Sequence, residues 1–163
     1  MNPKVRNLTF SAVLAAIYVT LTHLQNMLLP GSANWAVQFR LSEVLCVLAF
    51  FNPAAISGLT LGCLLFNLTS GAGLALDFLV GTAATALSTW CMWLTRNCTV
   101  KGYPLFGMLM PALFNAILVG WELNVYIGGG FLINALLVAL GEATVLLVPG
   151  TALYYAVKKR NLL

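Results

Sequence analysis

The sequence predicts an all-α integral-membrane protein, a six-helix bundle with both termini on the cytoplasmic side. Three observations predict it. Hydrophobic residues make up 61% of the chain and charged residues 7%, against roughly 25% charged in a soluble domain. Long apolar runs recur between turn signals, with a mean hydropathy of +0.94. The charges are also sorted. Seven of the eight basic residues fall at three places (Lys4 and Arg6; Arg96 and Lys101; Lys158, Lys159 and Arg160), while Glu43, Asp77, Glu122 and Glu142 lie in or beside apolar runs. Lys and Arg hold their loops in the cytoplasm. Carboxylates in hydrocarbon are costly and are kept for a ligand or an ion.

The spans follow in order. The first is expected from about Leu8 to Leu29, stopped by Pro30-Gly31, and a polar, aromatic loop with Asn34, Trp35 and Gln38 comes next. The second, from about Arg40 to Phe51, ends at Asn52-Pro53, a strong turn signal. The third runs from about Ala54 to Leu68 and closes at Ser70-Gly71-Ala72-Gly73. The fourth covers about Leu74 to Thr95, and the fifth starts near Tyr103-Pro104 and reaches Trp121. Gly128-Gly129-Gly130 precedes the sixth, from about Phe131 to Val157. Spans two and three fall short of the roughly 20 residues that a perpendicular crossing needs. All 163 residues are expected to form one domain surrounded by membrane lipid.

With both termini inside, every basic cluster lies cytoplasmic and only Arg40 falls outside; the inverted topology misplaces seven bases. The polar residues then sort by depth. Arg40 and Glu43 open span two at the outer face, Asn67 closes span three there, and Asp77 opens span four. Asn115 and Glu122 are seven apart and share a face of span five. Asn134 lies in the outer half of span six, with Glu142 nearer its middle, about 80° round the helix. A cavity open to the outside and closed below has this pattern.

Several of these residues have a second reading. Arg40 and Glu43, three apart, also suit a helix-end salt bridge, and Asp77 a partner for the dipole of span four. Glu122 also suits the outer headgroup region. Trp35, Trp121 and Tyr126 suit an interfacial belt, with stacking on a planar solute open to the first two. His23 reads as a packed neutral imidazole. Ala12 and Ala16 form a small-xxx-small face in span one, continued by Thr20, and Gly58 and Gly62 repeat it in span three. Such faces let helices approach closely, within the chain or against a partner.

Other function classes find little support. The pI near 9.0 reflects loop anchors, since no basic patch interleaves with aromatics as nucleic-acid binding would need. Cys46, Cys63, Cys91 and Cys98 form no CxxC pair, so neither zinc nor a disulfide framework is indicated and they read as packing residues. No P-loop motif occurs, so the chain is not expected to use ATP itself. No catalytic triad or metal-ligand cluster is visible; no enzyme, cofactor or metal is expected. The run after Lys4 and Arg6 exceeds about 20 residues, which favours a spanning helix over a cleaved signal.

The runs Gln38-Phe39-Arg40-Leu41-Ser42-Glu43-Val44-Leu45, Phe50-Phe51-Asn52-Pro53-Ala54-Ala55-Ile56 and Gly58-Leu59-Thr60-Leu61-Gly62-Cys63 resemble the QueT family. Leu113-Phe114-Asn115-Ala116 with Val119-Gly120-Trp121-Glu122-Leu123 resembles its second signature. The resemblance covers almost the whole chain. It implies a substrate-binding S-component of an energy-coupling-factor (ECF) transporter for queuosine precursors. Such a six-helix bundle captures its solute outside, then tips over on a transmembrane coupling subunit driven by two ATPases. Ala12-x-x-x-Ala16 matches the face with which S-components dock on that subunit.

The implied solute suits the residues. A 7-deazaguanine base offers paired N–H donors that a carboxylate accepts in bidentate fashion, and its carbonyl needs a donor such as an Asn amide or Arg40. Queuine and its aminomethyl precursor also carry a cationic amine, which a second carboxylate neutralises. The expected recognition set is Glu122 and Glu142, with Asp77, Asn115, Asn134 and Asn67, and the Arg40/Glu43 pair as gate or carbonyl donor. Another vitamin or purine-like base, or a self-contained proton-coupled carrier using Glu142, are the alternatives.

Overall fold

The structure, a computed structural model, describes residues 2–30, 32, 39–70 and 76–160. Trp35, Asn34, Gln38 and the Gly71–Gly73 turn lie outside the described residues. Six helical segments run antiparallel: α1 Pro3–Leu28, α2 Leu41–Phe50, α3 Ala54–Thr69, α4 Asp77–Leu94, α5 Leu105–Tyr126 and α6 Phe131–Arg160. Among the described residues no strand forms, only an isolated bridge between Val100 and Tyr103. Among the described residues three segments (α1, α5 and α6) are long and apolar enough to cross a membrane. At 1.5 Å per residue the 26 residues of α1 reach about 39 Å, more than the roughly 30 Å hydrocarbon core. The chain is a multi-pass membrane protein built as a helical bundle.

Local chemistry sets the ends. Asn2 caps α1 by accepting the Lys4 N–H at 3.0 Å, with Pro3 in the first turn, where its missing N–H costs nothing. Gly128, Gly129 and Gly130 all take positive φ before α6, a backbone that side chains resist. The fifth span reaches Tyr126 rather than stopping at Trp121, so Glu122 sits inside the helix and not in the loop that follows it.

Two segments are not α-helical, which apolar periodicity alone did not signal. All ten residues of α2 have 3-10 geometry. With about 2.0 Å rise per residue they span about 20 Å, where an α-helix would span about 15 Å. Side chains three apart eclipse in this geometry, so Glu43, Cys46 and Ala49, all buried, line one ridge below Arg40. In α6 a π-turn at Leu146–Gly150 contains Pro149, which has no N–H to give the helical ladder; the α-helix resumes at Thr151.

Packing places α2 at the centre, against α1, α3, α4 and α6, while α5 pairs with α6 and with α4. Glycines permit the close approaches. A Cβ on Gly58 would meet the Ser11 carbonyl at 2.7 Å, one on Gly62 the Tyr18 Cβ at 2.8 Å, and one on Gly120 the Ala135 backbone at 2.8 Å. The apolar core joins Tyr18, Val47, Phe50, Leu59, Met92 and Tyr154. Leu113, Ile117, Leu136 and Leu140 stay exposed on the bundle's perimeter, as lipid contact requires. Ser11 is level with Ala54 (2.6 Å hydrogen bond), and Phe51 touches Tyr154, so the start of α1, the end of α6 and every basic residue but Arg40 share one end. The buried charges occupy the other half.

Candidate functional site

The antiparallel order brings the start of α2, the end of α3, the start of α4, the end of α5 and the start of α6 to one end of the bundle. Arg40, Asp77, Asn115, Asn134, Glu43, Glu122 and Glu142 are all buried there. An unpaired charge in such a place costs several kcal/mol, so each must be bonded or kept for something that bonds it.

On one side of this cluster the charged groups are paired or hydrogen-bonded. Arg40 Nη2 stands 3.9 Å from Asp77 Oδ2, and its guanidinium lies over the Phe66 ring at 5.6 Å. Asn67 Nδ2 donates to the Asp77 carbonyl at 2.9 Å, tying α3 to α4. Gly81 leaves room for this group, since a Cβ there would meet Asn67 Nδ2 at 2.9 Å and Asp77 Oδ1 at 3.1 Å. Asp77 is also the first residue of α4, so the dipole reading and the cluster reading describe the same placement. Glu43 receives the Tyr18 hydroxyl on Oε1 and the Cys46 thiol on Oε2, the latter at 3.0 Å. Arg40 therefore reaches across to another helix for an ion pair, where sequence spacing suggested its neighbour Glu43.

The opposite side is bare. Both carboxyl oxygens of Glu122, Oε2 of Glu142 and Nδ2 of Asn115 are buried without a hydrogen-bond partner among the described residues, as is Oδ1 of Asn67 on the first side. Glu122 and Glu142 are each 1% exposed. Coulombic interactions link Arg40 to Asp77 and Glu43, and reach Glu122 and Glu142 as well. Glu122 is repelled by Asp77, and Glu142 by Glu43. Every acidic residue in the chain thus lies in the field of one guanidinium, and an added cation or a set of N–H donors would relieve the repulsion.

Two expected members stand apart. Asn134 gives its amide to the Gly128 carbonyl at 2.8 Å and so closes the triglycine turn. Trp121 is 50% exposed on the perimeter; beside a buried Glu122 it is turned about 100° away. His23 pairs with Thr69 Oγ1 at 3.0 Å and lies edge-on to Phe66.

Sequence reasoning passed over Tyr18, Thr22 and Gln25, which bond to the α2 side of the cluster. Their signal was present, as polar groups at i, i+4 and i+7 within an apolar run. Cys46 and Cys63, read as packing residues, do pack in the core but also touch charge. Asn67 Nδ2 lies 3.6 Å, and Arg40 Nη1 3.9 Å, from the Cys63 sulfur.

The small-residue faces separate as well. Gly58 and Gly62 meet Ser11, Ala15 and Tyr18 inside the bundle. Ala12 and Ala16 face outward and are exposed. Ala12 lines a surface groove of about 350 Å³ with Asn7, Leu8, Ser11, Ala54, Ser57 and Leu61.

The family described as "QueT transporter" matches residues 8–159. A curated protein of Lactococcus lactis subsp. cremoris (strain MG1363), named "Queuosine precursor transporter QueT", is 38% identical over 74 residues, or 45% of this chain. The match spans 41% of that relative's length. No solved structure matches the chain.

Proposed function

Because the chain belongs to the QueT transporter family, we propose that it captures queuosine precursors as the S-component of an ECF importer. The observation that carries this reading is the set of bare buried acceptors on α5 and α6. Two carboxylates beside a committed guanidinium suit a solute with an N–H donor edge and a cationic amine, as in a 7-deazaguanine bearing an aminomethyl group. In the proposed pose Glu122, with both oxygens bare, takes the paired donors of the base, and Glu142 takes the amine. Asn115 Nδ2 gives the base carbonyl its donor. The basic end of the bundle lies in the cytoplasm on this reading, and the cluster opens outward.

The exposed face at Ala12 and Ala16 is the proposed seat of the transmembrane coupling subunit, which with two ATPases would supply the energy that a chain without a P-loop does not. Vesicles holding this chain alone should bind queuine without accumulating it, and adding the coupling subunit with its ATPases and ATP should start uptake. Accumulation by the chain alone, driven by a proton gradient, would replace this reading with a self-contained carrier. Changing Ala12 and Ala16 to Trp should block assembly while solute binding survives, because a close helix contact has no room for the ring.

A further inference from the structure

A line of side-chain hydrogen bonds joins α1 to the start of α2. The Tyr18 hydroxyl donates to Glu43 Oε1, and the Thr22 hydroxyl donates to Ser42 Oγ at 2.7 Å. Gln25 Oε1 accepts the Leu41 N–H at 2.8 Å. Gln25 Nε2 donates to the Phe39 carbonyl, and to Ser32 Oγ at 2.9 Å. The positions 18, 22 and 25 share one helical face, and their partners step back through 43, 42 and 41 toward Arg40. All three are buried, Tyr18 and Thr22 fully and Gln25 to 6% exposure.

Gln25 differs from the other two. Its amide holds the backbone on both sides of Arg40, the carbonyl before it and the N–H after it. Arg40 itself is extended (φ −92°, ψ 99°) and gives α2 no side-chain cap. The Leu41 N–H belongs to the first turn of that helix, where no backbone acceptor exists, and Gln25 Oε1 supplies one. A guanidinium at the edge of ion-pair range from Asp77 (3.9 Å), in the field of every carboxyl of the cluster, is sensitive to small shifts of its backbone.

We propose that Gln25 is a positioning residue for solute recognition, clasping the chain on both sides of Arg40 and so setting where the guanidinium stands among the carboxyls. This rests on the reading of the cluster as the solute site. Gln25 is bonded to protein at both ends of its amide, so it acts through Arg40 and not by touching the solute.

The test has two arms on purified full-length protein. The first needs no solute: amide hydrogen exchange read by mass spectrometry in wild type and Gln25→Met. Peptides covering 39–50 should exchange faster in the variant, with those covering 110–145 unchanged. Equal protection at 39–50 overturns the proposal. The second arm is calorimetric titration of queuine and 7-aminomethyl-7-deazaguanine into wild type, Gln25→Met, Arg40→Gln and the double variant. Gln25→Met should weaken binding about tenfold where Arg40 is present. In the Arg40→Gln background it should add little further loss, because the group it positions is gone. An equal loss in both backgrounds marks general destabilisation and overturns the proposal. Wild type that binds neither base refutes the solute reading, and the exchange arm then still decides whether Gln25 holds the Arg40 backbone.

Discussion

Glu43 and Glu122 are the same residue type, equally buried at 1% exposure, in two halves of one cluster, and their surroundings are opposite. On the α1–α2 side both Glu43 oxygens carry a donor, Tyr18 and Cys46. On the α5–α6 side neither Glu122 oxygen has one among the described residues. A buried carboxylate with its donors in place is part of the scaffold, because the bonds offset its desolvation. One without donors is a candidate to bond something that arrives. On the proposed reading, burial alone does not separate scaffold from site, and hydrogen-bond accounting does.

The comparison breaks most visibly at Glu43. Glu43→Ala strands the Tyr18 hydroxyl and removes a counter-charge of Arg40, so it should cost about 3–5 kcal/mol of stability, read by denaturant unfolding in mixed micelles. Glu122→Ala should cost little or even stabilise, since it removes a buried carboxyl that no hydrogen bond supports. If the two variants unfold alike, the division into scaffold and site is wrong.

Solute affinity should invert that order. Glu122→Gln and Glu142→Gln keep the volume but present amide donors to donors, so affinity for 7-aminomethyl-7-deazaguanine should fall about one to two orders of magnitude. Calorimetric titration checks it, and unchanged affinity in both would move recognition to Asp77 or Glu43. A smaller effect tests the packing that holds the two halves together. Gly62→Ala puts a methyl against the Tyr18 Cβ at 2.8 Å and should cost about 1–3 kcal/mol. Ala16→Gly, on the exposed face of the same α1, removes no buried contact and should cost only the roughly 1 kcal/mol of helix propensity.

Much of this architecture is legible in the linear chain, for a definite reason. Hydrocarbon tolerates neither open backbone nor loose charge, so apolar runs and charge positions together dictate helices, their alternation and the end at which polar groups collect. The cluster of Arg40, Asp77, Asn115, Glu122 and Glu142 at one end follows from antiparallel order alone. The direction of Trp121 was also available, since adjacent helical residues diverge by about 100° and Glu122 already claimed the interior.

The linear chain therefore dictates a multi-pass helical bundle with buried charge at one end, because membrane energetics penalises the alternatives so heavily. Tertiary structure alone decided which buried groups are satisfied. The donors to Glu43 come partly from Tyr18, 25 residues away, and Arg40 finds Asp77 in another helix. The 3-10 geometry of α2 rotates Cys46 beneath Glu43, a placement that an α-helical reading of the same residues misses. Gly58 and Gly62 meet α1 while Ala12 and Ala16 face outward, although both pairs carry the same small-residue spacing. Hydrogen bonds and close contacts depend on distances of a few tenths of an ångström between helices remote in sequence, and no periodicity within one helix encodes them.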